Sequence, residues 1–246
     1  MAVFSRQVYL RTSGSTNDHA VSLSNNDPNP NICVYTFDQV SGRGQIGRRW
    51  YTGADKNLAS TFSWQQPDIP ILEQFRINMA FSMAVHGFVA RHTGLDHLSI
   101  KWPNDIYFKN QKLAGILIQN VLKGAAIGVC HLGVGLNINE LDFPSDLPNP
   151  VSLHQITGRS YSLVEMQHQL TEMVSQHLSK LQSDSAAQLK SAYEALLYRK
   201  GQVTVFRLDD QIVSGKILGT TVEGKLRLEL EDGVREFGFR EVGYVI

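Results

Sequence analysis

Residues 39–50 read Q-V-S-G-R-G-Q-I-G-R-R-W, with three glycines and three arginines and no apolar repeat of helical or strand period. Glycine lets a backbone take positive φ and approach a ligand closely. Arginine brings a permanently charged, planar fork of donors suited to carboxylate or phosphate. The composition therefore describes a loop built to wrap an anion, although an ordinary solvated surface loop has the same residues. Its neighbours decide between the two. Upstream, I-C-V-Y-T-F over residues 32–37 predicts a buried strand that delivers the loop at its carboxyl end, where α/β proteins place ligands.

The remainder of the chain supplies a sheet for that strand. Residues 3–10 predict an edge strand, and T-S-G-S-T-N over 12–17 predicts a turn into a helix from 18 to 23, capped by Ser15 or Thr16. Free N–H groups at that helix start can equally hold the polar head of a ligand. Residues 57–64 predict another strand. Apolar residues at helical spacing over 71–92, among them Phe75, Met79, Met83 and Phe88, predict a long helix on the sheet. A short strand over 98–102 ends in K-W-P-N-D (101–105), and 106–108 resume extended structure. K-L-A-G-I-L-I-Q-N-V from Lys112 and A-I-G-V-C-H-L-G-V-G-L over 126–136 predict a central hairpin, in which Gly133 and Gly135 mark a close approach to the backbone. Residues 139–150, with three prolines, predict a loop, and 162–181 and 186–197 amphipathic helices.

After Tyr198 the pattern changes to short alternating runs (202–206, 211–218, 225–230, 234–239) broken by Asp209-Asp210, Glu223-Gly224 and Asp232-Gly233. That predicts a small antiparallel barrel or sandwich and a division into residues 1–197 and 198–246.

Composition limits the function classes. With 23 Lys+Arg against 23 Asp+Glu, the formal charge is zero, so no global field draws nucleic acid or an anionic membrane, and an anion site has to be local. No apolar run is long enough to span a bilayer. Cys33 and Cys130 stand far apart inside apolar runs with no secretory segment ahead of them, as expected for reduced thiols in a cytoplasmic protein. The eight histidines form no metal-ligand pattern, and neither a Walker loop nor a helix-opening G-x-G-x-x-G is present. Ser15 lacks a nucleophile-elbow context, and Cys130 has no base near it in sequence. What remains is a group of cations from separate segments, Arg43, Arg48, Arg49, Lys101 and Lys112, around one acid, Asp105. Such a set suits attack by a substrate carboxylate on a nucleotide phosphate, because the cations screen two anions and the developing charge. No protein nucleophile is then required. Trp50 and Trp102 beside these charges suit either walls for a flat ligand or simple packing.

S-T-N at 15–17, Q-x-x-G-R-G-Q-x-G-R-x-W from Gln39, K-W-P-N-D at 101–105, K-L-A-G-I-L from Lys112 and G-V-G-L-N-I-N from Gly133 together resemble the ordered motif set of biotin protein ligases. The resemblance runs through most of the first 140 residues. It implies an α+β fold: a mixed-sheet catalytic domain of the biotin/lipoate ligase type with helices on the sheet, then a small Src-homology-3-like β-barrel. It also implies a two-step reaction. Biotin and MgATP give biotinyl-5′-adenylate and pyrophosphate, and a lysine of a biotin carboxyl carrier protein then takes the biotinyl group as an amide.

Carried onto this chain, the resemblance assigns Ser15, Thr16 and Gln39 to the polar end of biotin, with Asn17 in the binding set. Residues 42–45 (Gly42, Arg43, Gly44, Gln45) become a loop closing over the adenylate, and Arg43 and Arg48 face the carboxylate and phosphates. Lys112 is the principal catalytic cation. Asn104 and Asp105 orient the phosphates and their Mg²⁺, Lys101 joins the binding set, backbone at Gly115, Gly133 and Gly135 lines the biotin slot, Asn137 meets the adenine and Trp50 packs over the ligand. No dedicated metal site is implied beyond Mg²⁺ on the phosphates. Gln45 and Ile46 depart from the cations frequent in the family, which predicts weaker retention of the adenylate. Because S-T-N begins about fifteen residues in, a short form without a helix-turn-helix DNA reader is expected, as a monomer or homodimer that binds neither nucleic acid nor membrane. Rival readings are a lipoate or octanoate ligase or transferase of the same superfamily, and a non-catalytic biotin-binding protein.

Overall fold

The structure is a computed structural model of the 246-residue chain, and it describes all residues except 1–2, 27–30, 46, 48, 66–68, 182 and 184. Seven strands form one mixed sheet: β1 (Arg6–Tyr9), β2 (Ile32–Thr36), β3 (Leu58–Gln65), β4 (Leu98–Lys101), β5 (Asp105–Phe108), β6 (Gln111–Lys123) and β7 (Ala126–Leu136). Their order is β1-β2-β3-β7-β6-β5-β4, parallel only between β1 and β2. The hairpin expected at the sheet centre is there, with β7 in the middle position.

Alternation along the central strands sends one set of side chains to a helical layer and the other to a ligand face. On the helical side, Leu58, Leu136, Ala114, Ile106 and Ile100 stand in register across five strands, each fully buried. They meet α2 (Phe75–Thr93), which buries Ile77, Phe81, Val85 and Phe88, and α4 (Leu163–Lys180), which buries Leu170, Val174 and Leu178. Ser60 on this face donates to Gln167 Oε1 of α4 at 2.5 Å. Cys33 receives a hydrogen bond from the Gln167 amide, and burial pushes its thiol up to about 12; burial does the same to Cys130. Both cysteines are free, buried thiols with no nucleophilic character. Helix α1 (Thr16–Asn26) covers part of the opposite face, packing Ala20 against Ile32 and Val34.

Two elements differ from expectation. The 71–92 helix opens with a separate 3₁₀ turn, Ile71–Glu73, before α2 begins at Phe75. Inside the stretch after the proline loop lies α3 (Leu153–Thr157), which carries too few residues for a periodic signal. It is fixed by a capping box between Ser152 and Gln155 and ends on Gly158 in the left-handed conformation.

α5 (Ala186–Ala195) leads to a second, antiparallel sheet in the order β11-β10-β9-β8-β12, with β8 Val203–Leu208, β9 Gln211–Thr220, β10 Leu226–Leu230, β11 Gly233–Phe237 and β12 Gly243–Tyr244. This is the Src-homology-3-like element, and it docks on the K-W-P-N-D hairpin. Trp102 Nε1 donates to Gly224 O at 2.9 Å, and the Trp102 and Phe239 rings lie 5.3 Å apart. Ile100 exchanges backbone hydrogen bonds with Leu196 and Tyr198, so the chain entering this element is stitched to β4.

Candidate active site

The register of the sheet makes the site. On the face away from α2 and α4, Ala59 of β3 stands opposite Gly135, Gly135 opposite Gly115, and Gly115 opposite Asp105. One step along, Thr61, Gly133 and Leu117 form a second row. Small residues at facing positions on central strands leave a trough where larger side chains would fill the space. A cavity of about 520 Å³ opens over it, floored by these rows.

At one end the walls are neutral and polar. Thr16, the first residue of α1, donates from its backbone N–H (2.9 Å) and hydroxyl (3.2 Å) to Gln39 Oε1, and its hydroxyl also meets that of Thr61 at 2.9 Å. Asn17 Nδ2 donates to Gln119 Oε1 at 2.7 Å, while Asn17 Oδ1 is buried and has no hydrogen-bond partner among the described residues. Ser15, Thr16, Asn17 and Gln39 are all buried and all line the cavity. A buried amide oxygen left without a donor points to a ligand N–H.

The other end is charged. Lys112 Nζ lies 2.7 Å from Asp105 Oδ1 and 5.4 Å from the centre of the Trp50 ring system. Asn104 Nδ2 donates to Ile116 O, which fixes the turn that presents Asp105. Trp50 lies flat on the glycine floor: a methyl group on Gly135 would sit 2.2 Å from Trp50 Cε2 and Nε1, and one on Gly115 2.8 Å from Trp50 Cζ3. While Trp50 lies there, only glycine fits at these positions.

The arginine loop arches over this floor. Its base is closed by Trp50 N–H donating to Gly42 O at 2.9 Å, and Gly42 has to lack a side chain because Trp50 O and Gln39 Nε2 already stand within 2.7 Å of where a Cβ would be. Arg43 reaches back to α1 and pairs with Asp18 at 3.1 Å, both largely exposed. Beyond the loop, Lys56 Nζ meets the fully buried Glu140 carboxylate at 2.9 Å, which ties the exit of the loop to the segment after β7.

Arg43, Gly44, Gln45, Trp50, Asn104, Asp105, Lys112, Gly115, Gly133, Gly135 and Asn137 line the cavity with the polar end. Gly42 stands behind it as the support of Gln39 and Trp50. Arg48 and Ile46 lie outside the described residues. One expected residue is elsewhere. Lys101 is not among the cavity-lining residues; its ammonium sits 5.0 Å from the Tyr107 ring centre and 4.9 Å from that of Tyr244. Lys101 belongs to the same face as Asp105 but at the outer end of the row, where the second sheet covers it.

The cavity also has walls that composition did not mark. Tyr51 and Phe143, with rings 6.4 Å apart, and Leu147, Pro148 and Pro150 form an apolar side, and Thr61, Ile116, Val134 and Asp146 line it too, with Arg49 of the cation group. The prolines of the 139–150 loop were the available signal, since a stiff loop can hold a wall in place; Thr61 was detectable only once β3 was paired with β7. Among the described residues no three His, Cys, Asp or Glu side chains gather into a metal site.

The biotin/lipoate A/B protein ligase family model matches residues 9–139. The chain belongs to this family. The matched span contains the trough, the arginine loop and the Lys112–Asp105 pair. Among similar proteins, the bifunctional ligase/repressor BirA of Bacillus spizizenii is 25% identical over 232 residues, covering 93% of this chain and 71% of the relative. The biotin–[acetyl-CoA-carboxylase] ligase of Paracoccus denitrificans is 26% identical, over 89% of this chain and 92% of the relative. A solved structure of biotin protein ligase from Aquifex aeolicus in complex with biotin and ATP superposes with a TM-score of 0.80 at 23% identity, covering 98% of this chain and 100% of that one. For this member of the ligase family, the superposition places both sheets in one common fold.

Proposed function

We infer that the protein is an ATP-dependent biotin protein ligase, which activates biotin as biotinyl-5′-adenylate and transfers it to a lysine of a biotin carboxyl carrier protein. One observation carries the reading: a single trough joins a buried, neutral amide and hydroxyl cluster to a lysine–carboxylate pair at its far end. A cyclic urea is neutral and presents N–H groups and an acceptor oxygen, which Asn17 Oδ1 and the hydroxyls and amides of Ser15, Thr16 and Gln39 match. Its aliphatic chain lies along the row of Thr61, Gly133 and Leu117, beside the Trp50 indole, and its carboxylate arrives at Lys112. Lipoate ends in an apolar dithiolane, for which a buried polar end is the wrong environment.

At the charged end, Lys112, joined by Arg43 once it leaves Asp18, holds the carboxylate against the α-phosphate and offsets the charge that builds as the carboxylate oxygen attacks phosphorus and pyrophosphate leaves. Asp105 and Asn104, the oxygen-bearing side chains beside that point, would hold the nucleotide's Mg²⁺, which would supply neutralising charge for the departing pyrophosphate. Trp50 and the apolar side formed by Tyr51, Phe143, Leu147 and Pro148 give the nucleotide a water-poor enclosure, which protects the mixed anhydride from hydrolysis. In transfer, the acceptor amine attacks the biotinyl carbonyl, AMP leaves, and the amine proton passes to the Asp105 carboxylate. The division into a catalytic region over 1–197 and a barrel region over 198–246, and a cytoplasmic location, belong to the same proposal.

The test is biotin-dependent exchange of pyrophosphate into ATP, followed by the mass gain of a carrier domain offered as acceptor. Exchange with biotin and a gain of one biotinyl group support the ligase; exchange with lipoate or octanoate in place of biotin would move the protein to the other branch of its family.

A further inference from the structure

The K-W-P-N-D hairpin is held from two sides. Its inner side presents Asp105 to Lys112. Its outer side is gripped by the second sheet, through Trp102 on Gly224 and Phe239 and through Lys101, whose ammonium lies between the rings of Tyr107 and Tyr244. Lys101 and Asp105 are directly opposed across β4 and β5, so their side chains project from the same face at the distance of a cross-strand neighbour. Tyr244 belongs to the last strand of the chain, packs on Phe206 and Tyr198, and has a buried hydroxyl with no hydrogen-bond partner among the described residues. What Tyr244 offers Lys101 is therefore its ring face. Lys101 is half-buried there, and an ammonium on an aromatic face is attracted by it more strongly the less water reaches it.

We propose that Lys101 and Tyr244 are positioning residues for the active site: Tyr244 fixes the Lys101 charge beside Asp105, and this sets where Asp105 holds Lys112. This cation–ring contact acts beside the Trp102 contacts that hold the same hairpin. The proposal rests on the ligase reading for its kinetic consequence only; the contact itself is measurable without activity.

Three variants test it: Tyr244→Phe, which keeps the ring, Tyr244→Leu, which removes it, and Lys101→Met, which removes the charge but keeps the stem. In pyrophosphate exchange, Tyr244→Leu and Lys101→Met should each lower kcat about tenfold with the KM for biotin within twofold of the parent. Tyr244→Phe should stay within twofold in both. The double variant Lys101→Met/Tyr244→Leu should be no slower than either single one, because both remove the same interaction. Independently of turnover, ring currents should displace the Lys101 ε-methylene proton signals upfield, and Tyr244→Leu, but not Tyr244→Phe, should reduce that displacement and move the Asp105 carboxyl ¹³C signal. Equal losses in the Phe and Leu variants, additive losses in the double variant, or an Asp105 signal indifferent to Tyr244→Leu would overturn the proposal. A parent protein without exchange but with these shifts would fail the ligase reading and leave the positioning contact standing.

Discussion

Lys112 Nζ and Asp105 Oδ1 lie 2.7 Å apart, with side-chain exposures of 28% and 14%, on the face of the sheet that carries the glycine floor. Partial burial strengthens the pair relative to a surface ion pair and makes either partner costly to leave alone. Lys112→Ala should reduce biotin-dependent pyrophosphate exchange by about 100-fold or more, as expected for a charge aimed at a transition-state oxygen. It should also lower stability by roughly 1–3 kcal/mol, because Asp105 is left uncompensated. Adding Asp105→Asn should recover most of the melting temperature without recovering exchange. Exchange retained in Lys112→Ala would remove Lys112 from its catalytic role.

Trp50 is the one tryptophan of three that reaches the cavity, since Trp64 and Trp102 are 5% and 2% exposed in the core. Biotin binding should therefore change the iodide-quenchable part of the intrinsic fluorescence, and Trp50→Phe should abolish that change. Gly135→Ala places a methyl group against the indole. Trp50 then has to leave the floor, at an overpacking cost of about 1–3 kcal/mol, and the KM for biotin should rise at least tenfold. A Gly135→Ala enzyme with parental KM would show that Trp50 seated on the floor does not shape the biotin slot.

Arg43 is held by Asp18 in a largely exposed pair, worth at most about 1 kcal/mol. Asp18→Asn should release Arg43 for phosphate at little cost in stability, lowering the KM for ATP by up to about fivefold, the equivalent of 1 kcal/mol. The advantage should shrink as salt is raised, because exposed charges are screened. No change in KM at low salt would mean that the pair does not compete with the nucleotide.

Gln45 lines the cavity in the arginine loop as a neutral amide. It can donate to phosphate but adds no charge. Gln45→Arg should slow release of the adenylate several-fold, measured by filter retention of the labelled intermediate after a chase; equal release rates would assign Gln45 no part in retention.

Glu194 connects α5 to the second sheet: its carboxylate accepts Thr220 N–H at 2.6 Å and pairs with Lys190 at 2.7 Å and Lys200 at 3.6 Å. Burial works to raise its pKa, but the Lys190 and Thr220 hydrogen bonds outweigh it and hold the carboxyl below its ordinary value of 4.5. A carboxyl lowered on folding stabilises fully above its unfolded pKa and loses that contribution as pH falls through the folded one. The stability of the protein should thus decline below about pH 4.5, with a shallower decline in Glu194→Gln. Superimposable acid profiles for the two would show that Glu194 does not carry the dependence.

Local chemistry made most of the elements legible. Residues 32–37 and 57–64 are β-rich, 126–136 is an apolar run too close to 112–121 to pair elsewhere, and the turns after Tyr198 carry Asp and Gly where hairpins need them. α3 escaped because a five-residue helix is held by its caps and by contacts, not by periodicity. Lys101 stands outside the cavity lining for a different reason: adjacency in K-W-P-N-D brings it near Asp105 along the chain, while its ammonium lies over the rings of Tyr107 and Tyr244, which no local stretch brings together.

The sequence by itself determined the α+β class with its terminal run of short strands, the arginine loop at a strand's carboxyl end, and that Lys112, Asp105 and the three floor glycines were there to line a cavity, because these depend on residue type and local spacing. Only the tertiary structure decided that Ala59, Gly135, Gly115 and Asp105 share one row, that Trp50 lies on it, and that Tyr51, Phe143 and the proline loop enclose it. Register joins residues up to about 76 positions apart, and strand pairing is set by the burial of both faces of the whole sheet, which no single stretch contains.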